Sequence, residues 1–222
     1  MDNISASHVG SIEVRRLSAA PMPSDEQSVI LEVSPAQLSD AEKVVDVIAS
    51  AFGNDPTWSW AFPDQSARRH FWQFVVNGGL RYPWTFKTTG FESVTVWIPP
   101  GGSEFSHDQE AQLPSLLADL VGSRAADVAE LMRRFDQAHP RTEPHYYLSL
   151  LGNHREHRGR GLGMALLKEN LARIDADHMP AYLESSNPAN NRRYESVGFV
   201  PITSFQAPGE GPTVTGMWRN GN

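Results

Sequence analysis

The sequence contains no cysteine. That absence removes disulfide frameworks, thiol nucleophiles and cysteine-ligated zinc or iron–sulfur centres from consideration. Long apolar runs are missing too: each is broken by Arg, Asp or Pro well short of the ~20 residues a bilayer-spanning helix needs. The first residues, Met1 to Gly10, lack the basic-then-apolar order of a secretory leader. A cytoplasmic protein with no membrane partner is expected. Positive charge is also scarce, with 19 Lys and Arg against 26 Asp and Glu, for a formal net charge of −7. Only Arg155 to Arg160 forms a basic patch. A nucleic-acid footprint needs a broad basic face, so no nucleic-acid partner is expected. An acidic chain with one local basic patch suits an anionic cofactor held at that spot.

What the chain does have is core material. Apolar residues make up 40% of its 222 residues and charged residues 20%, the profile of a folded rather than a disordered protein. Residues 1–27 are punctuated by Ser5, Ser7, Ser11, Ser18, Pro21, Pro23 and Ser24 and read as an N-terminal extension. Residues 28–222 read as one domain, a monomer or homodimer. Val29 to Val33 predict a first strand. Ser39 and Glu42 have the spacing of a capping box, opening a helix along which Val44, Val45, Ile48 and Ala51 recur.

Phe52 to Pro56 break that helix, the aromatic cluster Trp58, Trp60 and Phe62 follows, and a second helix is predicted from Asp64 to about Asn77. Trp84 to Lys87 and Ser93 to Ile98 predict an antiparallel pair, closed by Pro99-Pro100-Gly101-Gly102. One or two amphipathic helices fill residues 108–138. A strand from His145 to Leu151, a helix from Arg160 to Asp177 and a strand from Ala181 to Glu184 come next. A short helix from Pro188 to Val197 and two further strands complete the chain. With no internal repeat, this order predicts a single α+β (mixed α/β) domain.

The most informative segment is Arg158-Gly159-Arg160-Gly161-Leu162-Gly163, between a strand and a helix. Its glycines let the backbone approach a ligand, and the helix start offers unpaired N–H groups and the positive end of the macrodipole. A pyrophosphate is the natural guest, although a turn with purely structural glycines stays open. A Walker loop would end in Gly-Lys-Ser/Thr, where Met164-Ala165 stands, and the dinucleotide fingerprint fails because Met164 occupies its last glycine.

The run Leu151-Gly152-Asn153-His154-Arg155-Glu156-His157-Arg158-Gly159-Arg160-Gly161-Leu162-Gly163 resembles the acetyl-CoA signature of the GNAT acetyltransferases, Arg/Gln-x-x-Gly-x-Gly/Ala. Arg158, Gly161 and Gly163 supply its fixed positions. A second block of that family follows at the right distance, from Tyr182 through Asn187, Asn190 and Tyr194 to Gly198-Phe199. The sequence departs from the pattern at Asn153, where the family usually has Val, and at Arg155, where it often has Pro.

The resemblance implies a mostly antiparallel central sheet, splayed where acetyl-CoA binds and flanked by helices. It implies an N-acetyltransferase with a small-molecule amine acceptor, an aminonucleoside-type antibiotic being one candidate. A protein or peptide acetyltransferase and a non-catalytic acyl-CoA-binding module remain alternatives. Acetyl-CoA contacts carry over to Leu151, Gly152, Asn153, Arg158, Gly159, Arg160, Gly161, Leu162, Gly163, Asn187 and Asn190, and the general-acid role to Tyr194. Tyr147 falls where some relatives carry a base glutamate. Strand alternation puts Tyr147, Ser149 and Leu151 on one face together with His145. His145 and His154 are further base candidates, and Asp55, Trp58 and Trp60 are candidate walls of the acceptor pocket. No metal site is expected.

Overall fold

A computed structural model describes residues 32–221. The expected extension over 1–27 and residues 29–31 of the expected first strand lie outside the described residues. Seven strands form one sheet: β1 (Val33–Pro35), β2 (Thr85–Thr88), β3 (Ser93–Ile98), β4 (Tyr146–Asn153), β5 (Ala181–Ser185), β6 (Val200–Gln206) and β7 (Thr213–Arg219). Their order is β1-β2-β3-β4-β5-β7-β6, and every neighbouring pair is antiparallel except β4 with β5. The helices are α1 (Ala41–Ala51), α2 (Pro56–Ala61), α3 (Gln65–Gly79), α4 (His107–Val121), α5 (Ala125–Ala138), α6 (Leu162–Ala176) and α7 (Asn191–Glu195). This is the mixed α/β sheet with flanking helices that the sequence predicts. Among the described residues no helix is long and apolar enough to cross a membrane.

The start of α1 differs from the expected capping box. A 3₁₀ turn, Leu38–Asp40, precedes the helix, and the Asp40 carboxylate accepts the Gln37 N–H at 3.0 Å. Ser39 lies inside that turn, two residues past its Gln37 cap and one before the Asp40 cap of α1, so it caps neither. Val44, Val45 and Ile48 then bury against α3 and the sheet, as their spacing requires. On the opposite face α6 buries Leu166, Leu167, Leu171 and Ile174. Each such side chain contributes about 1.5–3 kcal/mol through removal from water. One polar group locks that contact: Asn170 Oδ1 accepts from Thr95 Oγ1 (2.6 Å) and from Trp97 Nε1 (3.0 Å) of β3.

Two irregularities in the centre of the sheet position the site. The β4–β5 register runs from Tyr146↔Ala181 to Leu148↔Leu183 and stops, so the two strands diverge beyond it. In β4 itself, Val96 faces Leu150 while Trp97 faces Leu148, which leaves Ser149 as an extra, bulged residue. The bulge reverses the alternation. Leu150 packs into the α1/α3 core, whereas Leu148 and Leu151 both pack towards α6. The single face expected for Tyr147, Ser149 and Leu151 is therefore corrected: Leu151 turns to the other side of the sheet from Tyr147.

Candidate functional site

The loop after β4 is pinned before it reaches its glycines. The Arg155 N–H donates to Ser50 Oγ at 3.0 Å, a bond that the proline common in the family would lack. The Arg158 guanidinium donates to the carbonyls of Ser50 (3.0 Å) and Ala51 (2.6 Å), at the C-terminus of α1 where a cation is favoured. The side chain of Arg158 thus latches the loop onto α1, and Arg158 also lines the cavity described below. Arg160 stays exposed, 3.4 Å from His157 Nδ1. His154 turns towards Glu156, its Nδ1 3.9 Å from a carboxylate oxygen, and does not line the cavity described below.

Gly161 sits at φ +75°, a left-handed conformation that favours glycine, immediately before α6. The first helical bond runs from Ala165 N–H to Gly161 C=O, so the N–H groups of Leu162, Gly163 and Met164 precede the ladder. A Cβ at Gly159 or Gly161 would meet no protein atom within 4 Å, so the space above both is open to a ligand. A Cβ at Gly163 would instead come within 2.6 Å of the Asn153 side chain. Asn153 fills that space with its Oδ1 buried and unpartnered. These features fit a pyrophosphate at the start of α6 and a polar chain passing Asn153.

One cavity of about 1170 Å³ connects this cradle to the divergence of β4 and β5. Tyr194, from α7, lines it. Burial pushes the Tyr194 phenol up to about 12, the charge of Asp55 pushing the same way and Arg193 opposing. Its proton is therefore held at neutral pH. Asp55 caps α2 through the Thr57 and Trp58 N–H groups (3.0 and 3.1 Å) and accepts from Ser186 Oγ at 2.8 Å, tying α2 to the end of β5. Asn187 and Asn190 also line the cavity, and Asn187 Oδ1 is engaged by the Ala189 N–H at 3.1 Å. Asp55 and Trp58 stand in the wall. Trp60 does not; it stacks under Arg124, 4.8 Å away.

Tyr147 also lines the cavity, but burial first, then the charges of Glu184 and Glu104, push its phenol well above its usual value. A base needs the phenolate, which this surrounding disfavours. His145 is buried, with Nδ1 2.7 Å from the Glu143 carbonyl and Nε2 3.1 Å from His139 Nε2. Glu104, Glu184 and His139 are among the polar residues of the cavity that sequence reasoning missed. They come from a loop, a strand and a helix end far apart in the chain, and no local motif joins them.

No protein-family model matches the sequence. Solved structures do match it over most of its length. One from Corynebacterium glutamicum, described as histone acetyltransferase HPA2 and related acetyltransferase, is 26% identical, covers 86% of this chain and 97% of its own, and superposes with a TM-score of 0.64. The chain has the GNAT fold. At lower identity the same fold recurs in arylalkylamine N-acetyltransferase 2 from Aedes aegypti, 10% identical, covering 87% of this chain and 100% of its own, TM-score 0.62. It recurs also in a polyamine N-acetyltransferase from Drosophila melanogaster, 15% identical, covering 86% and 99%, TM-score 0.58. GNAT enzymes use acetyl-CoA, and the likeness to the Corynebacterium glutamicum protein supports an acetyl-CoA-dependent N-acetyltransferase.

Proposed function

We propose that the chain transfers acetyl from acetyl-CoA to the amine of a small molecule, by direct attack within a ternary complex. The observation that carries this reading is a single cavity that holds the glycine cradle at one end and a partly buried Tyr194 beside the β4–β5 divergence. Leu162, Gly163 and Met164 offer N–H groups to the pyrophosphate, with Gly159, Arg160 and Gly161 shaping the approach. Main-chain groups of Leu151, Gly152 and Asn153, on the stretch of β4 that β5 leaves unpaired, suit the pantetheine arm and the developing oxyanion. Asn187 and Asn190 flank that arm.

In the reaction the amine nitrogen bonds to the acetyl carbon and the carbon–sulfur bond breaks. Tyr194 gives its proton to the departing sulfur, and the surplus proton of the new amide nitrogen restores the phenol. Neighbours of this fold are described as acting on arylalkylamines and polyamines, which favours a small acceptor. Within the superfamily the chain resembles puromycin N-acetyltransferase at Glu143-Pro144, at Pro180 to Ser185, at Tyr194-Glu195 with Gly198-Phe199, and at Gly211-Pro212 ahead of Met217. An aminonucleoside therefore belongs in any test.

The test is amine-dependent thiol release from acetyl-CoA, across aminonucleosides, arylalkylamines, polyamines and short peptides. The expected result is release with a small amine, matched one-to-one by its N-acetyl product. Release with peptides alone would make the chain a protein acetyltransferase. Acetyl-CoA binding without release on any amine would make it a binding module.

A further inference from the structure

Two carboxylates meet at the β4–β5 divergence, and the reaction described above assigns neither a task. Glu104 stands on the loop between β3 and α4, and one of its oxygens accepts from Ser149 Oγ, the bulged residue of β4. Glu184, on β5, has a side chain only 1% exposed; its Oε1 lies 3.6 Å from His139 Nδ1 and its Oε2 has no hydrogen-bond partner. Both residues line the large cavity. Among the described residues neither forms a salt bridge with Lys or Arg. Of the four wall arginines, Arg133 and Arg141 are paired with Glu130 and Asp136, Arg158 is held by α1 carbonyls, and Arg193 stands beside Tyr194.

The nearby histidines sharpen the picture. The Glu143 carbonyl can only accept, so His145 Nδ1 carries a hydrogen, and its Nε2 faces His139 Nε2. Burial, aided by the charge of His139, lowers the pKa of His145, with the Glu143 carbonyl and the charges of Glu184 and Glu143 opposing. A neutral His145 accepts at Nε2, so His139 donates there and turns its Nδ1 towards Glu184. Neither carboxylate is thus paired with Lys or Arg among the described residues; His139 Nδ1 and the Tyr147 and Tyr182 hydroxyls face Glu184, and its buried, unpartnered Oε2 is left for a cationic ligand.

We propose that Glu104 and Glu184 receive the acceptor as a protonated primary amine, and that Glu104 takes its proton before attack. The proposal rests on the acetyltransfer reading and names its acceptor class: a primary ammonium on an apolar body. Trp58, Phe105, Met132 and Phe135 supply the apolar wall for that body. Burial and the charge of Glu184 push Glu104 up to about 7, against the pull of Ser149 and His139. A carboxylate of that basicity accepts protons efficiently near neutral pH. The groups facing it are Ser149 and Tyr147 on β4, Glu184 on β5 and His139, with Tyr182 behind Glu184 and His145 behind His139. One ammonium proton passes to Glu104 and on to solvent, leaving the neutral amine whose lone pair forms the carbon–nitrogen bond.

The probes are 2-phenylethylamine and its uncharged counterpart 2-phenylethanol, titrated into the CoA-loaded full chain at pH 8. Wild type is expected to bind the amine at least tenfold more tightly than the alcohol. Glu104→Gln and Glu184→Gln should each cut that preference at least tenfold while acetyl-CoA affinity stays within twofold. Turnover of the same amine should rise through pH ~7 in wild type. Glu104→Gln should lose that limb with kcat down about 100-fold, and Glu184→Gln should move it to lower pH. No preference for the amine in wild type, or a preference retained in both variants, overturns the proposal. Failure of acetyl-CoA to bind counts against the acetyltransfer reading alone, since the amine–alcohol comparison, repeated on the full chain without CoA, still decides the acidic pair.

Discussion

Among single side chains, burial decides which groups of the cavity hold a proton near neutral pH. Tyr194, pushed up to about 12, stays a phenol across the working range and brings no descending limb below pH 10. Tyr194→Phe keeps the ring and removes only the hydroxyl. It should lower kcat about 100-fold and leave acetyl-CoA affinity within twofold; an unchanged rate where chemistry limits turnover would reduce Tyr194 to a packing residue. Glu104 also ties stability to pH. Its folded value of about 7 lies above the 4.5 of a free glutamate, so the folded state holds the extra proton between them. Stability therefore falls as pH rises from 4.5 through about 7, by an amount on the order of 3 kcal/mol. Glu104→Gln should gain on wild type in urea unfolding at pH 8 relative to pH 5. Equal differences at the two pH values would contradict the assignment.

Local elements explain both what could be read from the sequence and what could not. The cradle was legible because its requirements are local: positive-φ glycine at 161, close approach at Gly163, and an apolar stripe at Leu166, Leu167, Leu171 and Ile174. The role of Arg158 was only half legible, since its acceptors Ser50 and Ala51 belong to a helix a hundred residues away. The bulge at Ser149 leaves no trace in residue type, so alternation misplaced Leu151. The buried Arg68 is a similar long-range device. It donates to the carbonyls of Phe62 (3.1 Å), Phe52 (3.1 Å) and Gly53 (2.8 Å), holding the loop that presents Asp55 and α2. Arg68→Met should cost about 3 kcal/mol by stranding these carbonyls. A loss below about 1 kcal/mol in urea unfolding would show that water replaces the guanidinium.

For the molecule as a whole, the sheet order brings the end of β4, the end of β5, α7 and the β3–α4 loop around one cavity. Glu104, His139 and Glu184 become neighbours only through that order, which is why sequence reasoning, with Tyr147, His145 and His154 as base candidates, passed them by. The cradle and the acidic pair then occupy the two ends of the cavity, one suited to an anion and the other to a cation. This layout matches the charge demands of acetyl-CoA and an amine. Everything depends on the first of these. The most direct measurement is calorimetric titration of acetyl-CoA into the full chain and into Gly161→Glu, with thermal melting to show that the variant is folded. The account predicts saturable one-to-one binding to the wild type and a loss of at least about 100-fold in the variant, whose carboxylate stands against the pyrophosphate. Undiminished binding by a folded Gly161→Glu, or no binding by the wild type, would contradict it.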